Sequence, residues 1–599
     1  MKRLLAGSSL FFGLLGLGCS DDASGPGVVG PATGAAPGSG GATVTGGAAA
    51  TGGTGTGNAP GVGGTAAGGA PAVGGTSTGG APTPATGGTP AVGGTPGTGG
   101  APATGGVATG GAAAGGAGTG GDAAGGTPGT GGSPAVDEPS LVTSAEGAYW
   151  QTGEVTAGAA GPATLTVNTA GGGVNWAGFG GTFNQKGWTA LLALNETDRN
   201  AVMQLLFDAN AGIGFDWGRI PMGPSDYANQ RYTLSSAPGQ FDITPDVDTL
   251  IPFIKAAQTW KSDVKYWGSP WTPPPWAKTG DTENMGYDKG IFDPAFNQDY
   301  ANFFVAWVDA YEQQGIPIDH VQPQNEPGWS QGYPTCAFGP ARDSTLSQDL
   351  YQSEPVSLGP FVMDYLKPAL DATSYGTKIW YGTLSNDSFF NDYWNSLTDK
   401  SVVEGIALQW ETKLRVPGLR AGDANMLIMQ SEHKCGNYPW LGAQATSRQD
   451  ANRDNFLSTM APNNHAYGEE SWDLIKGWID DGVSIYSAWN MVLDTGGFNL
   501  DESRPWPQNS MIAVDTSAGT YEVTAYYYVF RHVAQYVDEG AKVLSIGGNA
   551  LAFQNPDGAV VAVVFNEGNS AASHTIDIDG TLLEFSVPAR GWATVNWQG

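Results

Sequence analysis

The chain has few of the residues from which metal centres and disulfide scaffolds are built. Among 599 residues there are only 3 cysteines and 5 histidines, and their spacing does not give the close pairs that are typical of zinc ligands. The part beyond residue 137 also has no glycine-rich phosphate loop. No metal or cofactor is therefore predicted. Cys19 is assigned to a signal, which leaves Cys336 and Cys435. A disulfide between them and two free thiols are both compatible with the sequence.

Positive charge is scarce. The sequence has 26 lysines and arginines against 56 aspartates and glutamates, which gives a formal net charge of −30. A chain this acidic repels nucleic acids, anionic lipid surfaces and polyanionic substrates. Neutral partners remain, and nothing in the sequence indicates an oligomer, so a monomer is expected.

Long hydrophobic runs are almost absent as well, and the one of interest lies at the start. Residues 1–19 combine Lys2 and Arg3 with a short apolar stretch, which predicts an export signal rather than a membrane span. The Leu17-Gly18-Cys19 ending resembles a bacterial lipobox, which would make Cys19 a lipidated membrane tether. Gly16 departs from that pattern, and plain secretion is the alternative. We expect an exported protein, either held at the cell surface or outer membrane or secreted.

Glycine is abundant, but much of it is concentrated in residues 20–137, with alanine, threonine and proline in irregular near-repeats such as "TGGAP". This segment has almost no aromatic or long aliphatic side chains, so it cannot bury a core and is predicted to be a disordered linker.

Residues 175–535 alternate between short β-rich apolar runs and helical patterns. Eight alternations fit a (β/α)₈ barrel better than an open doubly wound sheet. The eight predicted strand segments are 176–181, 212–223, 264–271, 319–326, 378–387, 405–410, 426–432 and 483–490.

The two flanking regions, 138–174 and 536–599, follow a different pattern. Segments such as "ATLTVNT" and "WATVNW" alternate polar and apolar residues with period two, and Asn555-Pro556-Asp557-Gly558 is a turn signal. The fold class predicted is therefore α/β: a TIM barrel with an associated antiparallel β-sandwich, formed by the C-terminal strands with N-terminal strands added.

Two glutamates stand at predicted strand ends. Glu326, in "QNEP", ends the fourth strand, and Glu432, in "MQSEH", ends the seventh. A barrel brings such ends to one face, so both carboxylates can enter one cleft. Retaining cleavage of a glycosidic bond requires a nucleophile and an acid with carboxyl groups about 5 Å apart. The acid is expected to have a raised pKa while the nucleophile stays ionised. Taken alone, the stretch around Glu326 favours a solvated loop carboxylate.

Six motifs, "GFGG", "GRIPMGPSDY", "SPWTPPPWAK", "QNEP", "SEHKCGN" and "SAWN", occur in order, and "VPARGWATVNW" ends the chain. In these motifs, residues 145–599 resemble glycoside hydrolase family 30, the glucosylceramidase and endo-β-1,6-glucanase group of retaining enzymes in clan A. The resemblance implies a glycoside hydrolase in which Glu326 is the acid/base and Glu432 the nucleophile. Further implied roles concern substrate binding: Asn325 at the sugar 2-hydroxyl, Asp226 and Trp271 at the outer hydroxyls, Trp489 lining the subsite and Arg219 beneath it.

Each implied role has a structural alternative. Trp271 and Trp489 could be barrel packing, and Arg219 could serve only to neutralise buried carboxylates. Four further aromatic residues are weaker candidates for sugar stacking at the rim: Trp176, Trp276, Trp329 and Tyr333.

One motif departs from the family. Mammalian glucosylceramidases have His-x-Tyr after the sixth strand, where this chain has Gln409-Trp410-Glu411. Trp410 is therefore a candidate substrate contact and Glu411 a candidate third carboxylate, and the transfer of glucosylceramide specificity is weakened. We expect β-1,6-glucan as the leading substrate, with glucosylceramide or a small β-glucoside second. The alternatives are xylan, or a non-catalytic surface protein that binds glycans.

Overall fold

The computed structural model of the chain describes residues 139–344, 346–433, 465–500 and 508–599. Its centre is a closed barrel of eight parallel strands that follow one another around the barrel in chain order. The strands are β1 Gly178–Thr182, β2 Trp217–Pro221, β3 Lys265–Ser269, β4 Ile318–Val321, β5 Lys378–Leu384, β6 Gly405–Leu408, β7 Leu427–His433 and β8 Ile485–Asn490.

Each observed strand overlaps one of the eight predicted segments, so the barrel is confirmed. Most strand residues are buried because helices cover the outside while side chains fill the inside. One boundary was wrong. The fourth strand ends at Val321, and Gln322–Glu326 belong to the loop that follows it. Glu326 has a φ of +50°, in the left-handed region rather than the extended one.

The first two helices begin where the sequence supplies capping side chains. Asn184 and Asn195 cap the first two helices by accepting backbone N–H groups of Gly187 and Asp198 at 2.6 and 3.0 Å. The helices are Gln185–Leu192, Glu196–Phe207, Thr244–Val247, Leu250–Gln258, Asn297–Gln313, Leu358–Phe361, Lys367–Asp371, Phe390–Ser396, Val416–Gly422, His465–Asp481 and Ala525–Ala534, with a π-helical turn at Val362–Leu366. Short 3₁₀ turns occupy Pro275–Ala277, Asn284–Gly286, Pro294–Phe296, Asp387–Phe389, Lys400–Val402 and Trp410–Arg415.

Small sheets extend the loops at the carboxyl ends of the barrel strands. They are the hairpin Lys278–Glu283 with Asp288–Phe292, the hairpin Ala341–Asp343 with Gln348–Leu350, and the sheet Val492–Asp494, Ile512–Asp515 and Thr520–Val523. The first hairpin also bridges to the loop after β4, through Asp288 with Pro334 and Ile291 with Ala337. The loop that carries Glu326 is thus braced from outside the barrel.

Two sheets at the chain ends form the sandwich. The six-stranded sheet has the order Ala148–Gly153, Ser140–Ala145, Gly591–Trp597, Val560–Asn566, Ala550–Gln554, Lys542–Leu544, and the four-stranded sheet has the order Val155–Ala157, Thr581–Val587, Ala572–Ile578, Leu165–Val167. N-terminal strands therefore join both sheets, as predicted. The turn at 555–558 is confirmed, with Gly558 at φ +96° between two paired strands. Two details differ: Ser140–Ala145 was not foreseen as a strand, and Leu165–Val167 pairs in parallel with its neighbour.

Trp176 lies where the barrel meets the sandwich. Its side chain is 1% exposed, and its ring packs 4.6 Å from Phe179 and 5.7 Å from Phe553, measured between ring centroids. Its backbone N–H donates to the carbonyl of Ala541. Trp176 precedes β1 and so lies at the N-terminal end of the barrel. The prediction that Trp176 stacks on a sugar at the rim is wrong. The sandwich packs against the residues before β1 and buries the indole ring.

Cys336 is a buried free thiol, and Cys435 lies outside the described residues, as does Cys19. Within the described ranges, no group of three or more His, Cys, Asp or Glu side chains is arranged to hold a metal ion. None of the described helices is long and apolar enough to cross a membrane.

Candidate active site

Arg219 joins the two halves of the site. It stands in the middle of β2, is fully buried, and donates through Nη1 to Glu432 Oε2 at 2.7 Å. Its Nη2 donates to Asn325 Oδ1 at 2.7 Å and to Ser269 Oγ at 2.9 Å. One guanidinium therefore links the end of β7 with the residue next to Glu326, and the predicted pair of glutamates converges on one cleft.

The loop that carries Glu326 is held between β3 and β5. The Asn325 N–H donates to the carbonyl of Pro270 at 2.7 Å, and the Glu326 N–H donates to the carbonyl of Thr383 at 3.1 Å. Thr383 also donates through its hydroxyl to Asn325 Oδ1 at 2.9 Å. These bonds fix the left-handed backbone of Glu326, so the turn directs its carboxylate into the cleft.

The carboxylate of Glu326 accepts a hydrogen bond from Tyr333, whose hydroxyl lies 2.8 Å from Oε2. Tyr333 was a candidate only for sugar stacking, and its bond to Glu326 was not foreseen. It is half-buried and packs against Tyr227, Trp271, Trp489 and Leu493. The sequence gives only a weak indication of this contact. Tyr333 lies seven residues after Glu326, and the two side chains meet only because the loop between them folds back.

Aromatic rings form the opposite wall. Trp271 and Trp489 are 2% and 1% exposed and stack with centroids 5.0 Å apart at 22°, while Tyr227 meets Trp489 edge-on at 5.8 Å. The guanidinium carbon of Arg219 lies 4.2 Å from the centroid of Trp271. Trp271 and Trp489 therefore both pack within the barrel and line the cleft.

Burial dominates the charge state of Glu432. It raises the pKa of this carboxyl to about 7, the positive charge and hydrogen bond of Arg219 oppose the rise, and the charge of Glu326 adds to it. The sequence-based expectation placed the raised pKa on the acid rather than on the nucleophile. The structure raises the pKa of the predicted nucleophile, because burial of the Glu432 carboxyl outweighs the opposing charge and hydrogen bond of Arg219.

Asp226, in the loop after β2, is the third carboxyl at the site. Burial, then the charges of Glu432 and Glu326, raise its pKa well above the ordinary value. Its Oδ1 is buried and accepts no hydrogen bond from the described part of the chain. An acceptor in this state is suited to a donor on a ligand, since a buried oxygen without a partner is unfavourable.

The remaining candidates lie on other parts of the rim. Trp410 is half-buried and opens the 3₁₀ turn after β6 at a φ of +53°. Trp329 is half-buried and donates through Nε1 to Ser385 Oγ at 2.9 Å. Trp276 donates through Nε1 to the carbonyl of Ser235 at 3.0 Å and packs edge-on against Phe296. Trp276 thus has a packing role of its own, apart from any contact with sugar.

Residues 176–537 match the model of the glycosyl hydrolase family 30 TIM-barrel domain, and residues 545–595 match that of the family's β-sandwich domain. The chain belongs to glycosyl hydrolase family 30. It is therefore a glycoside hydrolase, and the family resemblance drawn from six motifs is confirmed.

Two curated relatives of this family 30 enzyme carry different activities in their names. It is 27% identical to the lysosomal acid glucosylceramidase of Mus musculus, over 70% of this chain and 81% of the relative. It is 23% identical to an endo-1,6-β-D-glucanase of Trichoderma harzianum, over 67% of this chain and 80% of the relative.

Solved structures share the fold of the family 30 enzyme. An endo-β-1,6-glucanase superposes with a TM-score of 0.63 at 21% identity, covering 77% of this chain and all of that one. The catalytic domain of a family 30 xylanase C from Talaromyces cellulolyticus superposes with a TM-score of 0.54 at 16% identity, covering 73% and 100%. At these identities the likeness shows the barrel-and-sandwich fold alone.

Proposed function

We propose that the protein is a retaining β-glucosidase-type hydrolase that works by double displacement with Glu432 and Glu326. The observation that carries the proposal is the guanidinium of Arg219, which bonds both Glu432 and the side chain next to Glu326 at 2.7 Å. Two carboxyls close enough for their charges to act on each other, one of them paired with a fixed cation, supply the groups that retaining cleavage requires.

In the first step, the ionised Glu432 attacks the anomeric carbon while the carboxyl of Glu326 gives its proton to the glycosidic oxygen. The bond to the leaving group breaks and a covalent glycosyl ester forms on Glu432. In the second step, Glu326 takes a proton from water, the water attacks the same carbon, and Glu432 leaves as a carboxylate. Arg219 favours the ionised state of Glu432, and Tyr333 orients the carboxyl of Glu326 by its hydrogen bond.

Asn325, Asp226, Trp271 and Trp489 are proposed to hold the sugar on the side of β2, β3 and β8, with Trp410 as a further contact. Asp226 accepts from a sugar hydroxyl, and the stacked tryptophans cover apolar faces of the ring. The substrate is proposed to be a β-linked glucan, with the 1,6 linkage leading. The relatives named glucosylceramidase keep glucosylceramide or a small β-glucoside as the second candidate.

Replacing Glu432 by Gln tests the nucleophile. The amide keeps the shape of the side chain but cannot attack, so kcat with 4-nitrophenyl β-glucoside should fall by about 10⁴-fold or more, as loss of a covalent nucleophile does elsewhere. Steady-state kinetics measure this, with thermal melting to show that the fold is kept. A rate near that of the wild type would refute the assignment. Glycan binding without turnover by the wild type would instead favour a non-catalytic binding protein.

Glu326→Ala tests the acid/base by comparing leaving groups. Activated aryl glycosides need little protonation, so their first step should be spared, whereas hydrolysis of a β-1,6-glucan should be lost. External azide, which needs no general base, should restore turnover of the aryl substrate. Equal losses on both substrates, without rescue, would contradict the acid role.

Export and tethering remain a proposal, since residues 1–138 lie outside the described residues. The support is the apolar stretch before Cys19 and the composition of the linker. Mass spectrometry of the mature protein from a bacterial host should show cleavage before Cys19 and a diacylglyceryl adduct on it. Cleavage elsewhere without an adduct would indicate plain secretion.

A further inference from the structure

A second group of side chains comes from loops that are bonded to Glu326 or follow the next strands of the barrel. It comes from the loops after β4, β5 and β6 and consists of Trp329, Arg342, Asp387 and Glu411, named here the β4–β6 wall. These loops are joined to one another. Trp329 donates to Ser385 after β5, and the Ser330 N–H donates to the carbonyl of Arg342 at 3.1 Å.

Glu411 is a hydrogen-bond acceptor in this wall. Among the described residues, it has no ion-pair partner within hydrogen-bond distance. Its Oε2 accepts only the backbone N–H of Asp387, at 3.3 Å. The carboxylate of Asp387 is itself engaged by Arg415, with Nε to Oδ1 at 2.5 Å and Nη2 to Oδ2 at 3.0 Å. Arg415 is thus committed to Asp387, and half-buried Glu411 keeps acceptor capacity of its own.

The charges around Glu411 place it near the catalytic acid. Burial raises the pKa of Glu411, the Asp387 N–H and the charge of Arg342 lower it, and the charges of Asp387 and Glu326 raise it again. Glu411 is therefore close enough to Glu326 and Arg342 for their charges to act on it. The two proposed steps use Glu432 and Glu326. Glu411 is an additional carboxylate near them that neither step uses.

The order of strands decides what such a carboxylate faces. Of the groups proposed to hold the reacting sugar, Asp226, Trp271 and Trp489 belong to β2, β3 and β8 or the loops after them, whereas Asn325 and Trp410 come from the loops after β4 and β6. Because Glu326 gives its proton to the departing oxygen, the leaving group must lie beside Glu326. The β4–β6 wall adjoins this place, because the Glu326 N–H donates to Thr383 of β5 and the carboxylate of Glu411 accepts from Asp387 in the loop that follows β5.

We propose that Glu411 determines specificity for the leaving group, accepting hydrogen bonds from a hydroxyl-bearing sugar and disfavouring an apolar aglycone. This inference rests on the proposed function and selects, between its two substrates, the glucan over the lipid glycoside. A carboxylate covered by alkyl chains loses its hydration without gaining a donor, which is costly. A sugar ring supplies several hydroxyl donors at the same place, and bonds from hydroxyls to a charged acceptor are among the stronger ones.

The test compares two leaving groups in the full-length protein. The β-1,6-linked disaccharide of glucose carries a sugar aglycone, and dodecyl β-glucoside carries an apolar one. Glu411→Leu should lower the ratio of their kcat/KM values, disaccharide over dodecyl glucoside, by about tenfold or more, the equivalent of one charged hydrogen bond. Glu411→Gln keeps the shape and one acceptor oxygen and should give a smaller decrease.

Glu584→Leu serves as the matched control, because this exposed glutamate lies on a sandwich strand far along the chain from the cleft. It should leave the ratio unchanged. An unchanged ratio in both Glu411 variants, with wild-type turnover of 4-nitrophenyl β-glucoside, overturns the role of Glu411 and leaves the proposed function standing. Absence of wild-type turnover on every β-glucoside overturns both. If Glu411→Leu melts early, Glu411→Gln alone decides.

Discussion

Arg219 carries the charge balance of the site as a single buried residue. Three carboxyls, Glu432, Glu326 and Asp226, act on it, and only Glu432 is in direct contact. Burial lowers the pKa of the guanidinium, and the three carboxyl charges raise it again. Arginine suits this position better than lysine, because its planar fork bonds Glu432 and Asn325 from two nitrogens at once.

Replacing Arg219 by Met should shift the pH dependence of the reaction. Attack requires ionised Glu432, so kcat/KM falls as the pH drops through the pKa of this group, which is about 7 in the wild type. Arg219 lowers that pKa, and its removal should move the acidic limb up by roughly 1–3 pH units, the usual effect of a contacting charge. A pH–rate profile with an aryl β-glucoside measures the limb. Arg199→Met, on an outer helix, should leave the limb in place, and a limb unmoved in Arg219→Met would contradict this account.

At the scale of elements, the hairpin 278–292 braces the cleft through one buried lysine. Lys278 Nζ donates to Thr272 Oγ1 at 2.8 Å, to the Tyr287 carbonyl at 3.0 Å and to the Thr335 carbonyl at 2.8 Å. Thr272 follows Trp271, and Thr335 lies two residues after Tyr333. The hairpin thereby ties the aromatic wall to the loop that holds the acid. Burial lowers the pKa of Lys278 to about 8, since all three acceptors are neutral.

Lys278→Met should destabilise the protein and weaken catalysis. Methionine fills the space of the lysine stem, but the oxygens of Thr272, Tyr287 and Thr335 lose a buried donor, at about 1–3 kcal/mol for each unsatisfied group. Thermal melting should show the loss, and kcat should fall because Tyr333 is less firmly placed. Lys255→Met, which loses one exposed bond to Gly315, is the control. An unchanged melting temperature in Lys278→Met would show that the hairpin does not depend on this lysine.

At the scale of the molecule, the sandwich is closed by both ends of the chain and is fastened to the barrel by His532. This histidine lies on the last helix, Ala525–Ala534, and is fully buried. Its Nδ1 lies 2.8 Å from Thr594 Oγ1 and its Nε2 2.8 Å from Ser144 Oγ, one on a C-terminal and one on an N-terminal strand. One side chain thus connects three distant parts of the sequence.

The pH dependence of stability should reveal His532. Burial and the charge of Arg531 lower its pKa from 6.5 to about 3, so the folded state binds fewer protons than the unfolded state between these values. Its contribution is complete above pH 6.5 and is lost at up to about 1.4 kcal/mol per unit as the pH falls toward 3. His532→Gln should therefore melt earlier than the wild type at pH 7 and lose less on going to pH 5. The same decrease in both proteins would contradict this coupling.

Local patterns made most elements predictable. A strand of a parallel barrel needs only a short apolar run, and Glu432 lies inside β7 as its motif indicated. Boundaries depended on tertiary bonds. The chain leaves β4 early, and Asn325 and Glu326 bond to Pro270, just after β3, and to Thr383 on β5, which no local pattern encodes. Trp176 was misread, and the bond of Tyr333 to Glu326 was not foreseen, for the same reason: period and composition identify an aromatic residue without identifying what it will contact.

The sequence by itself determined the two-part architecture and the chemical class of the site, because strand periodicity and acidic residues in fixed motifs are local properties. Only the tertiary structure decided which groups meet. Arg219 is 106 residues from Asn325 and 213 from Glu432, and Tyr333 reaches Glu326 only because a separate hairpin braces its loop. Charge and hydrogen bonding act over a few ångströms in space, whereas the sequence specifies only the order along the chain. The pKa of Glu432 and the side of the cleft occupied by Glu411 are therefore properties of the fold.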